Sequence, residues 1–178
     1  MALGLEGGYE AVQMRDVAAK ADVAMGTVYR YFASKDHLLA AALVYWVEQL
    51  QEQVSAVPAR GATPAERVVE VLDRALRVMA RRAKLAAAVC ASMASSDPAA
   101  VDCQREVARL MEEIIARAIG DPRPPDFAER ARMIGHVWYS SLVGWINGAS
   151  DIAKVHDEVT VAVRLLLPDA VLSAAWTA

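Results

Sequence analysis

Several things that other architectures depend on are scarce in this chain. It has two cysteines, Cys90 and Cys103, far apart and in no metal-ligand spacing, so two buried, reduced thiols are expected rather than a disulfide framework or a zinc site. Aromatic residues make up only 6% of the sequence and no run of alternating β-branched residues occurs, so no strand is expected. No apolar stretch approaches the roughly 18 uncharged residues that span a bilayer. Nor does any charged segment followed by an apolar run resemble a signal peptide, so a cytoplasmic protein with no membrane partner is expected. Nucleophile elbows, phosphate loops and zinc spacings are missing as well, so no catalytic residue, cofactor or metal ligand is assigned and an enzyme is not expected. His156-Asp157-Glu158 is the densest titratable run, but adjacent residues diverge around a helix, and the trio reads as a solvated face.

Helix-forming sequence is abundant. Of the 178 residues, 56% are hydrophobic, with alanine prominent, which predicts an all-α protein. The length suits either one domain or a small head joined to a larger body.

The stretch Met14 to Lys35 organises the head. Val17, Ala18 and Ala21 make a small apolar face, while Arg15, Asp16 and Lys20 point away from it. A turn follows at Ala21-Asp22-Val23. A second helix runs from about Met25 to Phe32, with Val28 and Phe32 inward beside Val23. Met25, Gly26, Thr27, Tyr29, Arg30 and Tyr31 are left outside. Hydroxyls and a guanidinium above a buried apolar pair suit a helix presented to a polyanion. The pattern is a helix-turn-helix, with the second helix as its recognition helix.

Chemistry separates the roles. Arg15 carries a planar fork suited to a bidentate contact with guanine, and Arg30 can do the same or clamp a phosphate. Thr27, Tyr29, Tyr31 and Lys35 suit phosphates, which fix register without reading sequence. Gly26 permits close approach of the backbone. The plainer reading is that Tyr29 and Tyr31 only cover the core of a small domain. Charge weighs against tight DNA binding: the net charge is −3, and in the first 54 residues Arg15, Lys20, Arg30 and Lys35 face Glu6, Glu10, Asp16, Asp22, Asp36, Glu48 and Glu52. A head with this balance must aim its few cations well.

These residues also carry a family resemblance. Asp16-Val17-Ala18, Ala21-Asp22-Val23, Gly26-Thr27-Val28-Tyr29-Arg30-Tyr31-Phe32 and Ser34-Lys35-Asp36-His37-Leu38-Leu39 resemble the DNA-binding signature of TetR-family transcriptional regulators. With Gly7-Gly8-Tyr9-Glu10-Ala11-Val12-Gln13-Met14-Arg15 added, the run is similar to the repressors of sterol (cholesterol) catabolism in that family. The resemblance implies DNA contact by Gln13, Met14 and Arg15, by Ala24, Met25, Gly26, Thr27, Tyr29, Arg30 and Tyr31, and by Lys35. Such heads usually open with a full helix, whereas only Met1 to Glu6 precede Gly7-Gly8. Most of that helix is therefore expected to be missing, through a start inside a longer chain, a late start codon or a true truncation.

Beyond the head, Ser34 should cap a helix running to about Val54, which joins head to body. The linker Val57-Pro58-Ala59-Arg60-Gly61-Ala62 then suggests residues 1–54 as the DNA-binding head with its connecting helix and 55–178 as the effector-binding and dimerisation body. Thr63-Pro64-Ala65-Glu66 has capping-box spacing. Helices are further expected from there to about Met79, over Arg82–Ala94, from Asp97-Pro98 to Ile119 ended by Gly120, from Asp126 to about Asn147, and over Ile152–Leu167. Asp126 to Glu129 is expected to repeat the capping box.

Val137, Ser140, Gly144 and Gly148 form one stripe, open to a neighbouring helix. The last helix is apolar on nearly every face and must be covered from both sides. A second copy packed about a two-fold axis supplies that cover, with Val137, Gly144, Gly148, Val155, Val159, Ala162 and Leu166 as the candidate interface. The resemblance implies the same homodimer. Met79, Met93, Met111 and Met133 with Trp138, Tyr139 and Trp145 make a candidate pocket for a large apolar effector, though their spacing fits an ordinary helical core at least as well. The resemblance favours the pocket, and its sterol branch implies a sterol-derived catabolite or its coenzyme A thioester. The expected function is a ligand-responsive repressor that binds a palindromic DNA operator as a dimer. The rival is a helical apolar-ligand carrier that has lost DNA binding, for which the acidic head and shortened first helix are the argument.

Overall fold

The computed structural model describes residues 8–168, and every regular element among them is α-helical. A helical turn over residues 8–11 precedes α1 (Met14–Lys20), α2 (Met25–Tyr31), α3 (Lys35–Ala56), α4 (Pro64–Ala80), α5 (Ala83–Ser92), α6 (Pro98–Ile119), α7 (Phe127–Ile146) and α8 (Ile152–Leu166). The all-helical expectation holds, and the expected boundaries fall within a few residues of these.

The boundaries have local causes. Asp22 makes the α1–α2 turn at φ 53°, a left-handed conformation that a short polar side chain tolerates better than a branched one. At the start of α3 the Ser34 Oγ accepts the His37 N–H at 3.0 Å. The capping box of α4 is complete: Thr63 Oγ1 accepts the Glu66 N–H at 3.2 Å, and Glu66 Oε2 accepts from the Ala62 and Thr63 amides at 2.7 and 3.3 Å. Asp97 Oδ1 accepts from Ala99 and Ala100 at the start of α6. At its end Gly120 turns the chain at φ 80°, while Arg67 donates to the carbonyls of Ala118 and Ile119 at 2.8 and 2.7 Å.

Two expectations need correction. Asp126 precedes α7 but makes no side-chain cap. Its carboxylate takes the Arg130 guanidinium through both oxygens at 2.7 and 2.8 Å, which holds its carboxyl below the usual range. Gly148 lies beyond the end of α7 at φ 74°, so it ends the helix rather than extending the Gly144 stripe.

Gly61 sits at φ 150°, and a Cβ there would lie 2.7 Å from the Glu66 Cβ and 2.9 Å from the Arg67 nitrogen. Gly61→Ala should therefore cost about 1–3 kcal/mol, because both the backbone strain and the clash fall on the α4 cap. An unchanged urea midpoint would show that the linker adapts freely.

The chain packs as two units, each built from two separated stretches. The first joins residues 8–47 to 79–107, and the second joins 48–78 to 108–168, so the packing crosses the sequence boundary at 54/55. The first unit centres on Val12, Leu39, Leu85, Ala88 and Val89, flanked by Tyr9, Val17, Leu38 and Trp46. A smaller cluster of Met14, Ala18 and Val28 closes the helix-turn-helix. In the second unit α7 packs on α8, and Val68, Leu72, Ile114, Ile115, Ile134, Val155 and Val163 are nearly inaccessible.

Candidate nucleic-acid interface

The recognition helix keeps a single anchor inward. Val28 is buried against Met14 and Ala18, with Phe32 packed at the edge of the same cluster. Because one turn of helix carries 3.6 residues, burying Val28 turns its neighbours outward. Met25, Tyr29, Arg30 and Tyr31 are all exposed, Tyr31 to 63%. Thr27 is half-buried, and a Cβ at Gly26 would meet nothing within 4 Å. The outer face is therefore open to a groove. Arg30 leans over the Tyr31 ring with its guanidinium carbon 5.1 Å from the centroid, and Nη2 reaches the Tyr31 hydroxyl at 3.4 Å. That pairing leaves most of the guanidinium fork free.

The other expected contacts are placed less uniformly. Gln13 and Ala24 are exposed. Arg15 is 78% exposed and only loosely paired with Asp16 at 3.4 Å, a surface contact of little energy that a phosphate or base can displace. Met14 differs from the expectation for its side chain, which lies in the core under Val28. Val23, expected to pack inward, is 42% exposed because the left-handed turn at Asp22 carries it out. Lys35 is held: its Nζ lies 3.8 Å from the Tyr9 ring centroid and 3.3 Å from the Tyr9 carbonyl oxygen.

Tyr9 and Asp36 are features that the sequence reading passed over. The Tyr9 hydroxyl donates to Asp36 Oδ1 at 2.5 Å, and the Ser95 hydroxyl donates to Asp36 Oδ2 at 2.6 Å. One carboxylate thus ties the segment before α1 and the turn after α5 to the start of α3. The hydrogen bond to Asp36, followed by burial, pushes the Tyr9 hydroxyl up to about 12. The bond needs the protonated phenol, so its contribution to stability is complete below pH 10 and is lost as pH rises from 10 towards 12. Tyr9→Phe should remove that alkaline loss, as read from denaturation midpoints across this range. Equal alkaline slopes in the two proteins would refute the assignment.

His37 Nδ1 accepts the Ala33 N–H at 3.1 Å, and His156 Nδ1 pairs with Asp73 at 2.7 Å. Glu158 accepts from the Ser141 hydroxyl at 2.6 Å, so His156-Asp157-Glu158 is partly engaged in packing α8 rather than fully solvated. Cys90 is buried and its thiol is pushed up to about 12 by that burial; Cys103 is only half-buried, against expectation.

The candidate effector residues are divided between the two units. Met79, in the first, is buried and Met93 half-buried; in the second, Met111, Trp138, Tyr139 and Trp145 are half-buried and Met133 is 40% exposed. Two cavities of the second unit have other linings. One of about 470 Å³ is bounded by Gln53, Ala56, Val57, Arg60, Glu70, Arg74 and Arg77. Another of about 160 Å³ lies among Ala65, Glu66, Val69, Glu70, Asp73, Thr160 and Arg164.

On the candidate dimer face, Val155 and Val159 are buried within the protomer, while Val137, Gly144, Ala162 and Leu166 are half-buried and Gly148 is exposed. The open apolar positions of α8 are Val161 and Leu165, 57% and 75% exposed. Val155, Val159 and Val163 face the core, and positions two residues away on a helix face out. Among the described residues no helix is long and apolar enough to cross a membrane.

Residues 1–42 match the family model described as bacterial regulatory proteins, tetR family, and residues 61–166 match the tetracyclin repressor-like C-terminal domain. The chain is 41% identical over 170 residues to the HTH-type transcriptional repressor KstR of Rhodococcus jostii (strain RHA1), covering 95% of this chain and 79% of that protein. It is 38% identical to KstR of Mycobacterium tuberculosis (strain ATCC 25618 / H37Rv), covering 95% and 77%. Among solved structures, a TetR transcriptional regulator from Rhodococcus sp. RHA1 superposes with a TM-score of 0.86 at 31% identity, covering 94% of this chain and 91% of that one.

Proposed function

The chain belongs to the TetR family of bacterial regulatory proteins, and from that premise we propose that it represses transcription in the cytoplasm as a two-fold dimer on a palindromic operator. The observation that carries this reading is the outer face of α2, where Met25, Tyr29, Arg30 and Tyr31 stand exposed above a buried Val28. Val161 and Leu165 support a partner copy, since apolar side chains this open gain from being covered. Two recognition helices about 34 Å apart would then meet successive major grooves.

The similarity to KstR repressors favours a sterol-derived catabolite or its coenzyme A thioester as the effector, binding in the helical body. Release requires only that this ligand bind the non-operator conformation better; a 100-fold loss of operator affinity corresponds to about 2.7 kcal/mol of coupling. Mobility shift on DNA upstream of the coding region, at two salt concentrations and with candidate ligands, tests the reading. Specific, salt-sensitive binding relieved by a sterol-derived ligand is the expected result. Binding equal to that on unrelated DNA would overturn it and leave the apolar-ligand carrier as the better description.

A further inference from the structure

The 470 Å³ cavity of the second unit has a chemistry that DNA binding does not use. It gathers three arginines, Arg60, Arg74 and Arg77, against a single carboxylate, Glu70. Arg74 is fixed in place: Nε donates to Glu70 Oε1 at 2.8 Å, Nη1 to the Val57 carbonyl at 2.6 Å and Nη2 to the Pro58 carbonyl at 3.2 Å. Glu70 is thereby neutralised locally. Arg60 and Arg77 are exposed, and neither is paired with a carboxylate among the described residues. The cavity so carries two uncompensated guanidinium charges in a chain whose net charge is −3.

The remaining lining narrows the ligand class. Ala56 and Val57 provide an apolar wall, and the Gln53 amide offers both a donor and an acceptor. Glu70, held by Arg74 through Oε1, contributes the one carboxylate of the lining. A ligand that satisfies these carries an anionic end and a flat body with apolar faces and a hydrogen-bonding edge. Guanidinium groups match phosphate through paired donors and also stack on planar rings. A volume of 470 Å³ is in the range of small-molecule sites and far exceeds the needs of a bare oxyanion.

We propose that this cavity binds a nucleoside diphosphate group, with Arg60 and Arg77 holding the phosphates, Arg74 and Glu70 forming a fixed polar floor, and Val57 with Gln53 receiving the base. The site does not depend on operator binding and is tested without DNA. Isothermal titration of the full chain with ADP, with inorganic pyrophosphate and with coenzyme A compares a free nucleotide, the phosphates alone and a nucleotide carried on a larger molecule. ADP should bind more tightly than pyrophosphate, and Arg60→Ala combined with Arg77→Ala should weaken ADP by about tenfold or more. Arg81→Ala with Arg82→Ala removes the same charge from exposed positions outside the cavity and should leave ADP affinity unchanged. Coenzyme A binding as ADP does, with the same loss in the Arg60/Arg77 variant, would extend the site to nucleotide-bearing thioesters; coenzyme A failing where ADP succeeds would confine it to free nucleotides. Either result upholds the site. ADP binding no tighter than pyrophosphate, or equally weakened by the control pair, would overturn it.

Discussion

Arg30→Ala should abolish practical operator binding while leaving the protomer folded. The side chain is exposed, and its only contacts described are to Tyr31, so its removal costs the head no core packing. A well-placed bidentate contact to a base edge is worth about 1–3 kcal/mol. A dimer on two half-sites loses it twice, about 2–6 kcal/mol, which corresponds to roughly 30-fold to over 10,000-fold in affinity. Titration against the operator and against scrambled DNA separates the two roles open to Arg30. If it reads a base, specificity collapses while non-specific binding falls only slightly. If it clamps phosphate, both fall together and the salt slope becomes shallower. Operator affinity within a few-fold of wild type, with an unchanged circular dichroism spectrum, would remove Arg30 from the interface. Tyr29→Phe makes a useful contrast, since a lost phosphate hydrogen bond should weaken all DNA sequences about equally.

Leu165→Arg should produce a folded monomer. Leu165 is 75% exposed in the protomer and Val161, one turn earlier, is 57% exposed, so neither holds the α8 core, which rests on Val155, Val159 and Val163. A guanidinium in the middle of the face proposed to meet a second copy brings a charge that such a partner must desolvate without compensation. Sedimentation equilibrium should show a dimer for the wild type and a monomer for the variant at micromolar concentration. Operator affinity should fall with it, by about 100-fold to 10,000-fold, because the second recognition helix no longer binds as part of one molecule. A variant that stays dimeric would place the interface elsewhere on the body. Retained far-ultraviolet helicity is the control, and its loss would mean that the protomer needs its partner in order to fold.

Much of this protein follows from short-range rules acting on neighbouring residues. Helical content, the helix-turn-helix and most caps depend on groups within four positions of one another, so Ser34, the Thr63–Glu66 box, Asp97 and Gly120 could be assigned from the chain alone. The exposed face of α2 was equally legible, because burying Val28 determines where Tyr29, Arg30 and Tyr31 point. Asp126 marks the limit of that logic: two acceptors compete for its carboxylate, and the bidentate pair with Arg130 wins over a cap.

Tertiary packing alone decided the rest. Which side of an apolar helix meets its own core depends on residues far along the chain, so Val155 and Val159 went inward and Val161 and Leu165 outward although all four look alike in sequence. The gathering of Tyr9 and Ser95 on the Asp36 carboxylate joins to it positions 27 and 59 residues away. No local periodicity encodes such meetings. They arise because residues 79–107 return to pack with residues 8–47, burying Leu85 and Val89 against Val12 and Leu39, and that burial sets which distant polar groups come within hydrogen-bonding reach.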